Sequence, residues 1–312
     1  MIADAPSRGW TGRHLLDVER LNAGELERIV GLAVEMRAGR AARTHRSLLE
    51  DEIVALAFYE ASTRTRVSFE LATRALGATV VDLAVAGSSV QKGESLVDTL
   101  RTLERTGVSI LVLRHAAAGV AHLAARCAGM RIVNAGDGAH AHPTQALADL
   151  LTLREALGSV AGRTVAIIGD VAHSRVARSN IHALAALGAT IRVAGPAAWV
   201  EEFGGWPQVS VTHALDEALD GADAVMALRV QLERAAGEGG TAVEDYVRDW
   251  RLDETRMGGA APGAVVLHPG PTNEGVEITA ELANGPRSLI GRQVENGVPV
   301  RMAVLAILAG AA

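Results

Sequence analysis

Ser62-Thr63-Arg64-Thr65-Arg66 puts three hydroxyls and two guanidiniums within five consecutive residues. Hydroxyls donate to oxyanions, and the planar, always-charged arginine fork fits a phosphate or carboxylate. The apolar run 53–58 ahead of this stretch reads as a buried strand, and Val67, Phe69, Leu71, Ala72 and Leu76 behind it recur at roughly helical spacing. The five residues therefore fall where a strand runs into a helix. Free N–H groups and the positive end of the dipole at such a start favour a bound anion. An ordinary N-cap flanked by solvated arginines is the alternative that these residues leave open.

Lys92 is the only lysine of the chain, so 29 of the 30 basic residues are arginine. One retained ammonium, compact and rotatable, points to a position a planar fork cannot serve; chance survival under biased codon usage is the other reading. Lys92 and Ser88 share the polar loop 86–95, and loops set on a rigid scaffold are where binding residues gather. Arg114 follows the strand 108–113. His142 and Gln145 stand three apart at the start of a helix whose first turn accepts Pro143. Arg175 lies in the loop after strand 164–169, and Arg229 and Gln231 come after strand 222–228. His268-Pro269-Gly270-Pro271 closes strand 264–267, where two prolines remove N–H donors and leave carbonyls able to accept from a ligand. In open α/β sheets ligands bind beyond the carboxyl ends of strands, which is where these groups are placed.

The elements that carry them alternate. A helix over 22–38 opens on the capping pair Asn22 and Glu25. Strands at 53–58, 78–83, 108–113 and 131–134 are separated by helices after Thr65, at 96–105 and around 120–127, and a helix through 146–157 follows. After a break at 158–162, a second series has strands at 164–169, 190–194, 222–228 and 264–267. A last helix over 300–308 is expected to cross back to the first series. The fold class is thus α/β: two doubly wound parallel-sheet domains with helices on both faces. The first domain is expected to span 1–150 plus the terminal segment 295–312, and the second 151–294. G-x-G-x-x-G is absent after Ile168, so a dinucleotide site is unsupported.

Composition agrees. The 312 residues are 49% hydrophobic but only 3% aromatic, so Ala, Val and Leu must build the core, as suits parallel strands. A net charge of −6 argues against nucleic acid as a partner. The single cysteine, Cys127, excludes an internal disulfide and fits a reducing cytoplasm; at a helix end it reads as a core thiol rather than a nucleophile. Residues 1–11 show no apolar signal core, and the apolar tail 302–312 falls short of the roughly 20 residues a bilayer span needs.

Five of these stretches, taken in order, resemble the aspartate and ornithine carbamoyltransferases over nearly the whole chain. They are Ser62-Thr63-Arg64-Thr65-Arg66, Lys92-Gly93-Glu94-Ser95, His142-Pro143-Thr144-Gln145, Arg229-Val230-Gln231 with Glu233-Arg234, and His268-Pro269-Gly270-Pro271. The aspartate branch is the more similar: ornithine enzymes typically carry His-Cys-Leu-Pro near the last strand and lack the Arg-Val-Gln pattern. Charge supports that choice, since Arg175, Arg229 and Lys92 suit a dicarboxylate and not an amine. Gly270 and Thr272 depart from the Leu and Arg of the best-known relatives; a backbone contact survives at Gly270, whereas Thr272 removes a charge near the acceptor site.

The resemblance implies transfer of the carbamoyl group of carbamoyl phosphate to L-aspartate, the second step of de novo pyrimidine synthesis, without metal or organic cofactor. By the same resemblance Ser62, Thr63, Arg64 and Thr65 hold the phosphate, joined by Arg114 and by Ser88 and Lys92 of a neighbouring subunit. Thr65, Arg114 and His142 polarise the carbonyl, Gln145 and the Pro269–Gly270 backbone hold the amide, and Arg175, Arg229, Gln231 and Lys92 take the aspartate. A cytoplasmic homotrimer with shared sites is implied, with regulatory chains or a dihydroorotase as further partners that no surface motif selects. A carbamoyltransferase for another amino acid such as ornithine, and a silent homologue serving as an assembly subunit, are the competing readings.

Overall fold

The computed structural model describes residues 12–83, 95–230 and 243–312. Ser88 and Lys92, and likewise Gln231, Glu233 and Arg234, lie outside the described residues. The chain divides into two units, residues 1–148 with 295–312 and residues 149–294.

In the first unit, strands β1 (Ile53–Phe58), β2 (Thr79–Leu83), β3 (Ile110–His115) and β4 (Arg131–Asp137) form one sheet in the order β2-β1-β3-β4. All its pairings are parallel. The central strands are continuous apolar runs because both of their faces are covered: Val54 to Ala57 in β1 and Ile110 to Leu113 in β3 are buried. Leu100, Leu103, Leu111, Leu113 and Ile132 meet there with almost no aromatic contribution, each buried leucine or isoleucine stabilising by about 1.5–3 kcal/mol. Edge strand β2 is largely exposed.

Helix α1 (Ala23–Ala42) starts at the expected capping box: Asn22 Oδ1 accepts from Glu25 N at 3.0 Å and Glu25 Oε2 from Asn22 N at 2.8 Å. It runs four residues beyond the expected end, since nothing in Gly39 to Ala42 breaks it before Arg43 turns left-handed. Helices α2 (Thr63–Ala75), α3 (Leu96–Arg105), α4 (Val120–Cys127) and α5 (Pro143–Leu157) make the crossovers and the exit. Cys127 is a half-buried free thiol closing α4 against the core.

In the second unit, β5 (Thr164–Ile168), β6 (Thr190–Ala194), β7 (Val209–Thr212), β8 (Ala224–Ala227) and β9 (Val265–Leu267) form a parallel sheet in the order β7-β6-β5-β8-β9. Helix α6 (Arg175–Ala186) follows β5. Gly169 ends β5 with φ +119°, and a Cβ there would meet the Tyr246 hydroxyl at 2.9 Å. That glycine is needed for packing under a buried tyrosine, which accounts for it without a nucleotide. Burial raises the Tyr246 pKa, helped by Glu277 and Asp170, so its hydroxyl stays protonated.

The terminal helix spans Ile290–Ala309 with Pro299 inside it, ten residues longer at its start than the expected 300–308. Strand β4 likewise continues past Asn134 to Asp137. No described helix is long and apolar enough to cross a membrane.

Candidate active site

Each sheet reverses its strand order once, and the crevice beyond the strand ends at such a reversal is where α/β folds bind ligands. In the first unit the reversal lies between β1 and β3. Beyond β1 come Ser62, Thr63, Arg64 and Thr65 at the start of α2. Arg114, paired in register with Phe58, stands at the end of β3. His142 and Gln145 follow β4 at the start of α5. The structure therefore gathers all seven of these residues at the carboxyl edge of one sheet.

The start of α2 is open. Ser62 occupies the N-cap with extended backbone (φ −162°, ψ 100°), yet its hydroxyl makes no capping bond and the first turn carries no acidic residue. Ser62 thus stands at the N-cap without serving as its side-chain cap. Thr65 is buried, Ser62 half-buried, and Thr63 and Arg64 are exposed. Arg66 is instead drawn to Asp82 of β2 at 3.3 Å.

Arg114 is held from two sides. Its Nη2 lies 2.6 Å from Glu60 Oε1 and its Nη1 donates to the Ala135 carbonyl at 3.2 Å. The side chain is 12% exposed. These contacts fix the plane of the fork while a guanidinium has five N–H donors to distribute. The sequence reading left Glu60 unassigned, although it stands two residues before Ser62.

His142 is 4% exposed. Its carbonyl accepts from Gln145 N at 3.0 Å and Ala146 N at 3.3 Å, which ties it to the first turn of α5.

In the second unit the reversal falls between β5 and β8. Arg175 opens α6 just beyond β5, and Arg229 follows β8. Pro269 and Gly270 follow β9, with Gly270 at φ +64° and a cis Gly270–Pro271 bond. Unlike α2, α6 is closed by its own cap: Ser174 Oγ accepts from Ala177 N at 3.1 Å.

A chain of side chains supports Arg229, and of these only His268 figured in the sequence reading. Its Nε lies 3.4 Å from Asn273 Oδ1, and Asn273 Nδ2 donates to the Val230 carbonyl at 2.8 Å. Asn273 N donates to Glu277 Oε1 at 2.6 Å. His268 Nδ1 accepts from Gly270 N at 2.8 Å, so the hydrogen-bond pattern assigns the ring proton to Nε2, which donates to Glu277 Oε1 at 3.1 Å. His268 N in turn donates to Gln293 Oε1 at 2.9 Å. His268 and Glu277 are each 1% exposed, so His268 acts as a brace under the 269–273 turn. Thr272 is half-buried beside Asn273.

Among the described residues no group of three or more His, Cys, Asp or Glu is arranged to hold a metal ion. What the two edges offer is anion recognition, with hydroxyls, N–H groups and guanidiniums in the first unit and guanidiniums in the second.

Comparison with known proteins gives the same picture. Residues 13–155 match the family model described as aspartate/ornithine carbamoyltransferase, carbamoyl-P binding domain, and residues 161–308 the one described as its Asp/Orn binding domain. The aspartate carbamoyltransferase catalytic subunit of Xanthobacter autotrophicus is 50% identical over 304 residues, 96% of this chain and 95% of that one. Aspartate transcarbamoylase from Trypanosoma cruzi, solved in complex with carbamoyl phosphate and aspartate, is similar at TM-score 0.83 and 33% identity, covering 95% of each chain. Ornithine carbamoyltransferase from Pyrococcus furiosus reaches TM-score 0.87 at 28% identity, covering 96% of this chain and 97% of that one, so backbone shape alone does not separate the two branches. With both halves matched and relatives aligned along nearly their full length, the chain belongs to the aspartate/ornithine carbamoyltransferase family.

Proposed function

We propose that this chain transfers the carbamoyl group of carbamoyl phosphate to the amine of L-aspartate, giving N-carbamoyl-L-aspartate and phosphate in the second step of de novo pyrimidine synthesis. The observation that carries this reading is the uncapped start of α2, with Ser62, Thr63, Arg64 and Thr65, beside Arg114 at the strand-order reversal of the first sheet. A phosphate fits the N–H groups, hydroxyls and forks offered there.

Ser62, Thr63, Arg64, Thr65 and Arg114 bind the phosphate. Thr65, Arg114 and His142 donate to the carbonyl oxygen, while Gln145 and the carbonyls of Pro269 and Gly270 accept from the amide. Arg175, Arg229 and Gln231 bind the carboxylates of aspartate. The neutral amine attacks the carbonyl carbon, charge collects on oxygen, and the C–O bond to phosphate breaks as the proton of the nitrogen passes to the departing phosphate. Preorganised donors at that oxygen each lower the barrier by about 3 kcal/mol. Fixing both reactants also removes the entropy of a bimolecular encounter.

Two further assignments belong to this reading. Ser88 and Lys92 serve the site of a neighbouring copy in a homotrimer. Val67 and Leu71, one turn apart on α2, are 44% and 42% exposed, and Val81 on edge strand β2 is 37% exposed. These exposed apolar side chains are a surface that a second copy would cover. The single thiol suits a reducing cytoplasm.

The test is a carbamoylation assay with carbamoyl phosphate and either aspartate or ornithine. Carbamoyl-aspartate alone is the expected product. Citrulline in its place would assign the ornithine branch, and no product despite carbamoyl phosphate binding would favour the silent homologue.

A further inference from the structure

Asp137 ends β4 five residues before His142 and is 1% exposed. A buried carboxylate needs its lone pairs filled, about four sites in all. Four donors converge on this one. Asn134 Nδ2 reaches Oδ1 at 2.7 Å and Ala141 N at 3.2 Å, Gly119 N reaches Oδ2 at 2.6 Å, and His140 Nδ1 lies 3.1 Å from both oxygens.

These bonds close a ring. Asp137 N also donates to the Ala141 carbonyl at 3.1 Å, so the turn 137–141 is pinned by backbone and side chain together. Gly138, at φ +49°, lies so close to the neighbouring loop that a Cβ would meet Ala118 N at 2.7 Å. The Gly119 bond ties the turn to the start of α4. His142 comes next after this ring and its carbonyl already belongs to the first turn of α5. Its Cα is thus set from both sides, by Asp137 before it and by the helix after it.

His140 lies at the outer end of the arrangement. Its ring meets the edge of His122 at a centroid distance of 5.6 Å, and His122 Nε2 lies 3.1 Å from Asp17 Oδ2. We propose that Asp137 and His140 are positioning residues that aim His142 at the reacting carbonyl. This rests on the role given to His142 above.

The charges are tuned to match. Burial pushes the Asp137 carboxyl up, but the bonds from His140 and Asn134, the His140 charge and the Gly119 N–H outweigh it and hold it below the usual range. The bond to Asp137 raises His140 against its burial, aided by the charges of Asp137, Asp17 and Glu19. The contact with both carboxylate oxygens keeps the ring in one orientation.

The experiment compares His140→Ala with His140→Asn, whose amide N–H falls where Nδ1 stood, and measures kcat, both KM values and melting temperature. For His140→Ala, kcat should fall about 10- to 100-fold with each KM within about 3-fold of wild type, because misaiming His142 removes an interaction made in the transition state. His140→Asn should recover to within about 3-fold of wild type. Wild-type kcat in His140→Ala, or equal losses in the two variants, would overturn the proposal. If His140→Ala does not fold, His140→Gln replaces it; its amide sits one methylene further out and should lose kcat as the alanine would. A wild type that makes no carbamoyl-aspartate would refute the proposed function instead. The clamp would then be judged by hydrogen exchange at Gly119 and Ala141, where His140→Ala must speed exchange about tenfold or more and unchanged protection would overturn it.

Discussion

The two units use the same doubly wound plan and differ in how their first crossover helix begins. At α2, Ser62 leaves the N-terminal N–H groups uncapped, whereas at α6 Ser174 spends its hydroxyl on Ala177 N. The first arrangement leaves its N–H groups without a side-chain cap and the second does not, so under the proposed function the second unit relies on the side chains of Arg175 and Arg229. A trigonal phosphate oxygen set suits the open end; the separated carboxylates of a dicarboxylic acid suit individual forks. In the proposed function, that difference of one capping bond separates a phosphate site from a carboxylate site.

The largest effect should come from Arg114→Ala, which under the proposed function removes a donor at the developing charge: kcat should drop about 10²- to 10³-fold, read by steady-state kinetics. Lys92→Arg comes next, with at least about tenfold loss of activity and an unchanged melt, because a planar fork cannot take the place of a point donor; unaltered turnover would remove the argument from the single lysine. The two helix starts can be separated directly. Ser62→Ala should weaken phosphate binding about 2- to 10-fold with stability unchanged, since no cap is lost. Ser174→Ala should cost about 1 kcal/mol of stability in a denaturant melt and leave phosphate binding alone. Reversed outcomes would erase the distinction. The smallest effect concerns pH. His140 is raised in the folded state by its bond to Asp137 and by the charges of Asp137, Asp17 and Glu19, with the His122 ring alongside. Its stabilising contribution is therefore complete below the unfolded histidine value of about 6.5 and disappears as pH rises through the folded value. The melting-temperature penalty of His140→Ala should be larger at pH 6 than at pH 9.

The parts that were legible from the sequence are those with a local period or cap. Buried strands such as Ile53–Phe58, the capping box of Asn22 and Glu25, and the strand-to-helix junction at Ser62 could be read from neighbouring residues. The stretch 195–221 gave no element in advance, because β7 is an edge strand with little burial contrast and its helices are only four or five residues long. The terminal helix ran longer than expected, since a helix held by its buried face tolerates an internal proline. The supports of the site were the least visible. Glu60 meets Arg114 across 54 residues and Asn273 meets Arg229 across 44, and such pairs leave no periodic trace in one sequence. Asp137 and His140 are three apart and could have been noticed, but only the fold shows the Gly119 amide that completes their arrangement.

The division of labour between the units is tested most directly by calorimetric titration of Arg229→Ala with carbamoyl phosphate, alongside its aspartate kinetics. Loss of a charge-assisted carboxylate contact should raise the aspartate KM about 10- to 100-fold. Carbamoyl phosphate affinity should stay within about 2-fold of wild type. Equal loss of both affinities would contradict the account.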